Sequence, residues 1–244
     1  MKIYQTLLED CSAGKKKFAV LIDPDNYSIQ ALDNVVKHSV EAGVDYFFLG
    51  GSLLVTDHHA RIISFIREHS AIPVTLFPGN NLQLNNQADG ILLLSLISGR
   101  NPEMLIGHHV ISAPFLRASN LEIISTGYML IESGTATTAN YMSNTMPIPS
   151  GKDEIAVCTA MAGEMLGMKL IYMDAGSGAR NPVPPSMIRR VRDSIGIPLV
   201  IGGGIVGPDL ARAAFDAGAD LIVVGNAIER DPGLIPLIAK TRLT

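Results

Sequence analysis

A single (β/α)8 barrel of the TIM type, an α/β fold occupying residues 1–244, is the architecture this sequence predicts, and three observations predict it. A length of 244 residues suits one such barrel better than two ordinary domains. Eight short, nearly continuous apolar runs alternate with amphipathic stretches, as expected of strands buried on both faces with helices between them. Nearly every run ends in glycine or a short polar residue, at the place where barrels of this kind bind ligands. An open doubly wound sheet is the structural rival.

In chain order the runs cover residues 18–23, 46–50, 73–77, 90–95, 123–131, 170–174, 198–202 and 221–225. Residues 29–42 read as a helix with Leu32, Val35, Val36, Ser39 and Val40 near one face. Residues 187–194 and 209–217 show the same period, with arginines on the other side. Two connections depart from the repeat. After Phe77, Pro78-Gly79-Asn80-Asn81 leaves only a few residues before Gly90, which predicts an abbreviated third helix. After Ile131, residues 132–152 are polar and too long for a turn, so they read as a lid or binding loop or as a disordered excursion. No linker or shift in composition marks a domain boundary.

Composition excludes several classes. Hydrophobic residues at 47% against 17% charged supply a large core. No 18 consecutive residues are apolar, so no transmembrane segment is expected. Residues 1–17 carry acids early and lysines late, the reverse of a signal peptide. Cys11 and Cys158 have no paired spacing, so neither a disulfide framework nor a zinc site is expected, and a reducing cytoplasm is the natural compartment. A net charge of −4 gives no nucleic-acid footprint. Lys15, Lys16 and Lys17 read as a solvated strand entrance rather than a phosphate site.

The run ends carry the chemistry. They read Asp23-Pro24-Asp25, Gly50-Gly51-Ser52, Pro78-Gly79-Asn80, Asp174-Ala175-Gly176-Ser177-Gly178, Gly202-Gly203-Gly204 and Gly225-Asn226. The last three resemble a phosphate cradle, because glycines let an anion approach backbone N–H groups and a following helix start adds a favourable dipole. A carboxylate at the first strand end, Asp23, can ligate Mg2+, which typically bridges a few protein oxygens to substrate phosphates. Asp25 reads either as a second ligand or as the cap of the helix beginning near Ser28. Ser52 reads as a neutral ligand at the same site or as a helix cap. His58, His59, His108 and His109 come in adjacent pairs rather than at metal-ligand spacing, and read as solvated.

In this order and spacing the motifs resemble the geranylgeranylglyceryl phosphate synthase family, which includes bacterial heptaprenylglyceryl phosphate synthases. The matching stretches are Leu21-Ile22-Asp23-Pro24-Asp25, Gly50-Gly51-Ser52, Phe77-Pro78-Gly79-Asn80, residues 95–102, residues 172–179, Gly202-Gly203-Gly204-Ile205 and Val224-Gly225-Asn226. The resemblance covers nearly the whole chain. It implies transfer of a prenyl group from a polyprenyl diphosphate, typically geranylgeranyl diphosphate, to the 3-hydroxyl of sn-glycerol 1-phosphate, giving an ether lipid precursor and pyrophosphate. It implies Mg2+ at Asp23 and Ser52. It implies a glycerol phosphate site at Tyr172, Met173, Asp174, Ala175, Gly176, Ser177 and Gly178, with Gly203, Gly204, Gly225 and Asn226. Asp174 and Tyr172 are then the catalytic residues, with Asp174 standing where many relatives carry glutamate, one methylene longer. The same resemblance implies a barrel whose third helix is replaced by a short segment, and often a homo-oligomer; transient contact with a membrane surface is a further expectation. A polyprenyl tail needs an apolar groove, whose candidate lining is the rim of strands two to four and the helix after Asn101. Met104 in that helix either leaves the groove open or is ordinary core filling. The rival functions are another phosphate-binding barrel enzyme, such as a sugar-phosphate isomerase, and a non-catalytic binder of phospholipid precursors. The isomerase reading is weakened by Glu132-Ser133-Gly134, which puts no aspartate at the fifth strand end.

Overall fold

A computed structural model describes residues 2–53, 55–56 and 58–243. Eight strands form a closed barrel in sequence order, and every neighbouring pair is parallel. They are β1 (Lys17–Ile22), β2 (Tyr46–Leu49), β3 (Val74–Leu76), β4 (Gly90–Leu96), β5 (Glu122–Leu130), β6 (Leu170–Asp174), β7 (Leu199–Gly202) and β8 (Leu221–Val224). Each falls on one of the eight apolar runs, with ends differing by a residue or two.

Alternation along the strands divides the core into two layers. Ala19, Phe48, Leu92, Ile124, Tyr172, Val200 and Val223 pack inside the barrel. Val20, Ile22, Phe47 and Leu49 point outward against Leu32, Val35 and Val36 of helix α2 (Ile29–Glu41) and Ile62, Ile63 and Ile66 of helix α3 (His59–His69). Each such fully buried aliphatic side chain contributes about 1.5–3 kcal/mol. Helix α1 (Ile3–Ser12) plugs the N-terminal end of the barrel with Ile3 and Leu7, and Glu122 holds it there by accepting from the backbone N–H groups of Ile3 (2.5 Å) and Tyr4 (3.0 Å). At its start α2 is capped by Ser28, whose Oγ accepts from the N–H of Ala31 at 3.2 Å.

The N-terminal face is clasped by acids that directly precede strands. Asp45 accepts from the N–H of Phe18 at 2.9 Å and pairs with Lys17 at 3.0 Å and with Arg242. Asp220 accepts from the N–H of Leu199 at 2.9 Å and pairs with Arg192 at 2.6 Å. Of the lysines expected to be solvated, Lys15 keeps 65% of its side-chain exposure, whereas Lys17 is drawn into this clasp by Asp10 (2.6 Å) and Asp45 and keeps only 15%.

Both irregular connections shape the opposite rim. The third helix is reduced to one 3-10 turn, Asn81–Gln83. After β5, residues 132–152 fold back over the rim through a bridge between Ile131 and Ile148 and a short helix α5 (Thr138–Ser143), rather than forming a disordered excursion. After β4 a π-helical turn, Glu103–Gly107, leads into helix α4 (His108–Ala118). The remaining helices are α6 (Asp153–Met165), α7 (Pro185–Arg192), α8 (Pro208–Asp216), α9 (Asn226–Arg230) and α10 (Leu234–Ala239).

Candidate active site

Parallel strands place all their C-terminal ends on one rim, and that rim opens into a polar cleft of about 450 Å³. Asp23, Gly51 and Ser52 are in its lining, as are Tyr172, Asp174, Gly176, Ser177, Gly178, Gly203, Gly204, Gly225 and Asn226. Met173 and Ala175 do not line it. Side chains alternate along β6, so these two pack into the layer between strands and helices, and Ala175 donates its N–H to the Gly202 carbonyl at 3.1 Å.

On the glycine side, Gly203 and Gly204 follow β7 with φ of 75° and 70°. A Cβ on Gly203 would sit 2.6 Å from Oδ1 of Asp174 and 2.6 Å from the N–H nitrogen of Gly176, so only glycine leaves this corner open. Ser177 donates to Oδ1 of Asn226 at 3.1 Å and ties the turn after β6 to the first turn of α9. A Gly203→Ala variant is expected to lose about 1–3 kcal/mol of stability through backbone strain and to bind an added phosphate anion more weakly. Thermal melting with and without the ligand reads both effects, and a variant that melts and binds like the parent would contradict this geometry.

Across the cleft, Asp23 is half-buried, and its Oδ1 accepts from the N–H of Asp25 at 3.1 Å. A Cβ on Gly51 would come within 3.0 Å of its other oxygen, so the missing side chain keeps that oxygen approachable. Burial raises the pKa of Asp23, and burial likewise raises that of Glu229 at the end of α9. Asp25 neither joins this pair nor caps α2. Its oxygens accept from the N–H groups of Val55 (2.7 Å) and Thr56 (3.0 Å) and from the Thr56 hydroxyl (2.6 Å), which pins the loop after β2 and holds its pKa low. Among the described residues the cleft is therefore lined by the carboxylates of Asp23, Asp25, Asp174 and Glu229 and by the guanidinium of Arg230. A polyanion enters such a cleft only with a cation to offset the repulsion. Among the described residues no three His, Cys, Asp or Glu gather to hold a metal. Asp23 and Ser52, in the lining of this acidic cleft, would suit a hard divalent cation such as Mg2+.

Asp174 ends β6 and is buried, with both oxygens engaged: Oδ2 accepts from the Tyr128 hydroxyl at 2.6 Å and Oδ1 from the N–H of Gly176 at 2.7 Å. Burial pushes its pKa up, and the two hydrogen bonds oppose that rise. Tyr172 stacks on Phe77, with ring centroids 5.1 Å apart, and forms the floor below Asp174.

A second, apolar crevice of about 100 Å³ adjoins the cleft and shares Gly51, Ser52, Phe77 and Tyr128 with it. Leu92, Leu94 and Leu96 of β4 form one wall, and Met104, Leu116 and Met142 form others. It continues past Leu84, Ser112 and Leu116 into an open groove of about 400 Å³ beside Phe115 and Leu121. The abbreviated third helix explains the opening, since a full helix after β3 would cover it. Met104 both lines the crevice and packs against the inner core layer.

Of the four histidines His58 is exposed as expected. His59 is instead buried at 1% exposure within α3, and His108 and His109 line the crevice, where Nε2 of His109 bonds the Leu94 carbonyl at 2.8 Å.

Residues 12–242 match the PcrB family. The chain belongs to this family. Its PcrB-family relatives include the geranylgeranylglyceryl phosphate synthase of Spirosoma linguale, 52% identical over 96% of this chain and 94% of that one. The enzyme of the same name from Chitinophaga pinensis is 52% identical over 98% and 94%. Among solved structures, the (S)-3-O-geranylgeranylglyceryl phosphate synthase of Thermoplasma acidophilum, in complex with its substrate sn-glycerol-1-phosphate, superposes with a TM-score of 0.92 at 31% identity. That match covers 99% of this chain and 98% of the other.

Two site residues of this PcrB-family chain escaped the sequence reading. Tyr128 lies inside a run that also carries the hydroxyls of Ser125 and Thr126, so nothing in the run singles it out. Gln83 is buried in the 3-10 turn, where its Nε2 donates to the Gly51 carbonyl at 2.8 Å and its Oε1 accepts from the N–H groups of Gly51 and Gly79, both at 3.3 Å. It holds together two rim turns that sequence spacing alone does not connect.

Proposed function

We propose that this chain is a prenyltransferase of the geranylgeranylglyceryl phosphate synthase type, joining a polyprenyl diphosphate to the 3-hydroxyl of sn-glycerol 1-phosphate with release of pyrophosphate. Geranylgeranyl diphosphate is the first donor to test. The observation that carries this reading is that a polar, glycine-edged cleft and an apolar crevice meet at Ser52, Phe77 and Tyr128. Only a substrate pair with an anionic and a long apolar portion uses both. The membership of the PcrB family and the likeness to enzymes of this name support it.

The residues divide the work by position. The turns at Gly176–Gly178, Gly203–Gly204 and Gly225–Asn226 hold the acceptor's phosphate and place its 3-hydroxyl toward Asp174. The crevice seats the prenyl tail, which puts the allylic carbon at the junction and keeps water from it. Holding both partners in this geometry supplies the orientation part of the rate enhancement. Asp174 takes the hydroxyl proton as the new C–O bond forms. Asp23 and Ser52 would hold Mg2+, which when bound supplies positive charge against the departing diphosphate. The chain acts on lipid-tailed substrates, yet among the described residues no helix is long and apolar enough to cross a membrane. Transient contact with a membrane surface and a cytoplasmic location complete the reading. A homo-oligomer is also part of it, supported by the exposed Val110 (66%), Ile111 (58%) and Phe115 (68%) on α4.

Pyrophosphate release tests the proposal: it is expected only when both substrates and Mg2+ are present and is abolished by EDTA. Release that survives EDTA, or that needs no prenyl donor, points instead to a different phosphate-binding barrel enzyme. The isomerase alternative lacks its second acid, because Glu132 beyond β5 is turned to the Ser150 N–H (3.3 Å) and hydroxyl (3.4 Å). Met104→Trp is expected to fill the crevice and shift product toward shorter prenyl donors. Competition between donors of different length reads this, and an unchanged preference removes Met104 from the tail path.

A further inference from the structure

Tyr128 stands where the two cavities meet and is the side chain that reaches Asp174. Its ring is confined, with Phe77 at 5.9 Å and Tyr172 at 5.5 Å, both edge-to-face. Its hydroxyl donates to Oδ2 of Asp174 at 2.6 Å in a buried setting. With Oδ1 taken by Gly176 at 2.7 Å, the carboxylate plane is fixed by two donors from two different elements. A carboxylate offers about four lone-pair sites, so two remain, and the absence of a side chain at Gly203 leaves the space next to Oδ1 open.

We propose that Tyr128 is a positioning residue for the transfer reaction: its hydroxyl holds Asp174 so that a free lone pair faces the acceptor hydroxyl at the junction of cleft and crevice. The inference rests on the prenyl-transfer reading above. In that step the acceptor oxygen bonds the allylic carbon while the bond from that carbon to the diphosphate oxygen breaks. The electron pair leaves with the diphosphate, and the hydroxyl proton passes to Asp174. Tyr128 transfers nothing itself; it restrains the base and favours its charged form.

Among the described residues, the titratable groups facing Asp174 are Tyr128 from β5 and Tyr172 from its own strand, and the turn after β7 places Gly203 beside its Oδ1. Burial raises the pKa of Asp174 and the Tyr128 bond lowers it. Removing that bond therefore raises the pKa further, and activity is lost at a higher pH as the solution is acidified.

Tyr128→Phe tests this, since it keeps the ring and removes the donor. We expect kcat to fall about 10- to 100-fold, the scale of a hydrogen bond to a charged group. KM for sn-glycerol 1-phosphate should stay within about twofold, and the acid limb of the pH profile should move to higher pH. Adding Tyr128→Phe to Asp174→Asn is expected to cost nothing more, because the two act through one carboxylate. An unmoved acid limb, or full additivity in the double variant, overturns the proposal, even if the single variant is less stable. If Tyr128→Phe does not fold, 3-fluorotyrosine at position 128 keeps ring and hydroxyl and donates more strongly; the limb must then move to lower pH, and no movement overturns the role. A wild-type protein that forms no ether product brings down the transfer reading itself and this role with it. An active wild type with an unaltered variant brings down only the inference.

Discussion

Asp174→Asn is expected to lower kcat by about 10²–10⁴-fold, the range over which a positioned general base contributes, and to leave the barrel folded. The side chain is nearly isosteric, its Oδ1 can still accept from Gly176, and no cation pairs with the carboxylate to be left without a partner. What disappears is the group that takes the proton at the junction of cleft and crevice. Single-turnover rates at saturating substrates read this directly, and an unchanged rate removes Asp174 from the mechanism. The pH dependence has a definite sign. Burial raises the folded-state pKa above the ordinary carboxylate value, so activity falls as pH drops through that raised value. Stability runs the other way. Protonated Asp174 suits its buried position, so this contribution is present below the unfolded pKa and is lost as pH rises through the folded one. Asp174→Asn is therefore expected to melt higher than the parent at neutral pH, with the difference shrinking in acid.

Asp23→Asn is expected to lower kcat/KM for the prenyl donor by about 10²–10³-fold, comparable to removing one group that stabilises a developing anion. It should weaken the response to Mg2+ in proportion. Among the described residues the cleft holds four carboxylates against one arginine, so a diphosphate bound there depends on added positive charge, and Asp23 is the half-buried carboxylate with an approachable oxygen beside Gly51. Affinity for sn-glycerol 1-phosphate alone should change little, because the glycine turns lie across the cleft. A variant that keeps the parental Mg2+ dependence would show that Asp23 is not the ligand.

The barrel was legible because its signal is repetitive and local: each strand is an apolar run, and each run ends in the residues the rim uses. That Asp23, Ser52, Gly203 and Asn226 line the rim cleft was legible for the same reason, since the end of a strand is a position a sequence reveals. The exceptions follow from physics that spacing does not carry. Met173 and Ala175 lie within a rim motif, yet strand alternation turns their side chains away from the cleft. Asp25 shares a motif with Asp23, but three donors from the loop after β2 claim it. Tyr128 and Gln83 serve the site through long-range hydrogen bonds, 46 and 32 residues away in the chain, and only the closed barrel brings those partners together. Lys17 sits at a strand entrance as expected, but its partner Asp45 directly precedes the neighbouring strand, a pairing set by register rather than by sequence.

The most direct test of the central claim is mass spectrometry of the products formed with Mg2+, a panel of polyprenyl diphosphates and either enantiomer of glycerol phosphate. The junction of an anion cleft with an apolar crevice predicts a prenylglyceryl ether phosphate from sn-glycerol 1-phosphate and at least one donor, with little or none from sn-glycerol 3-phosphate. No ether product from any donor would contradict it.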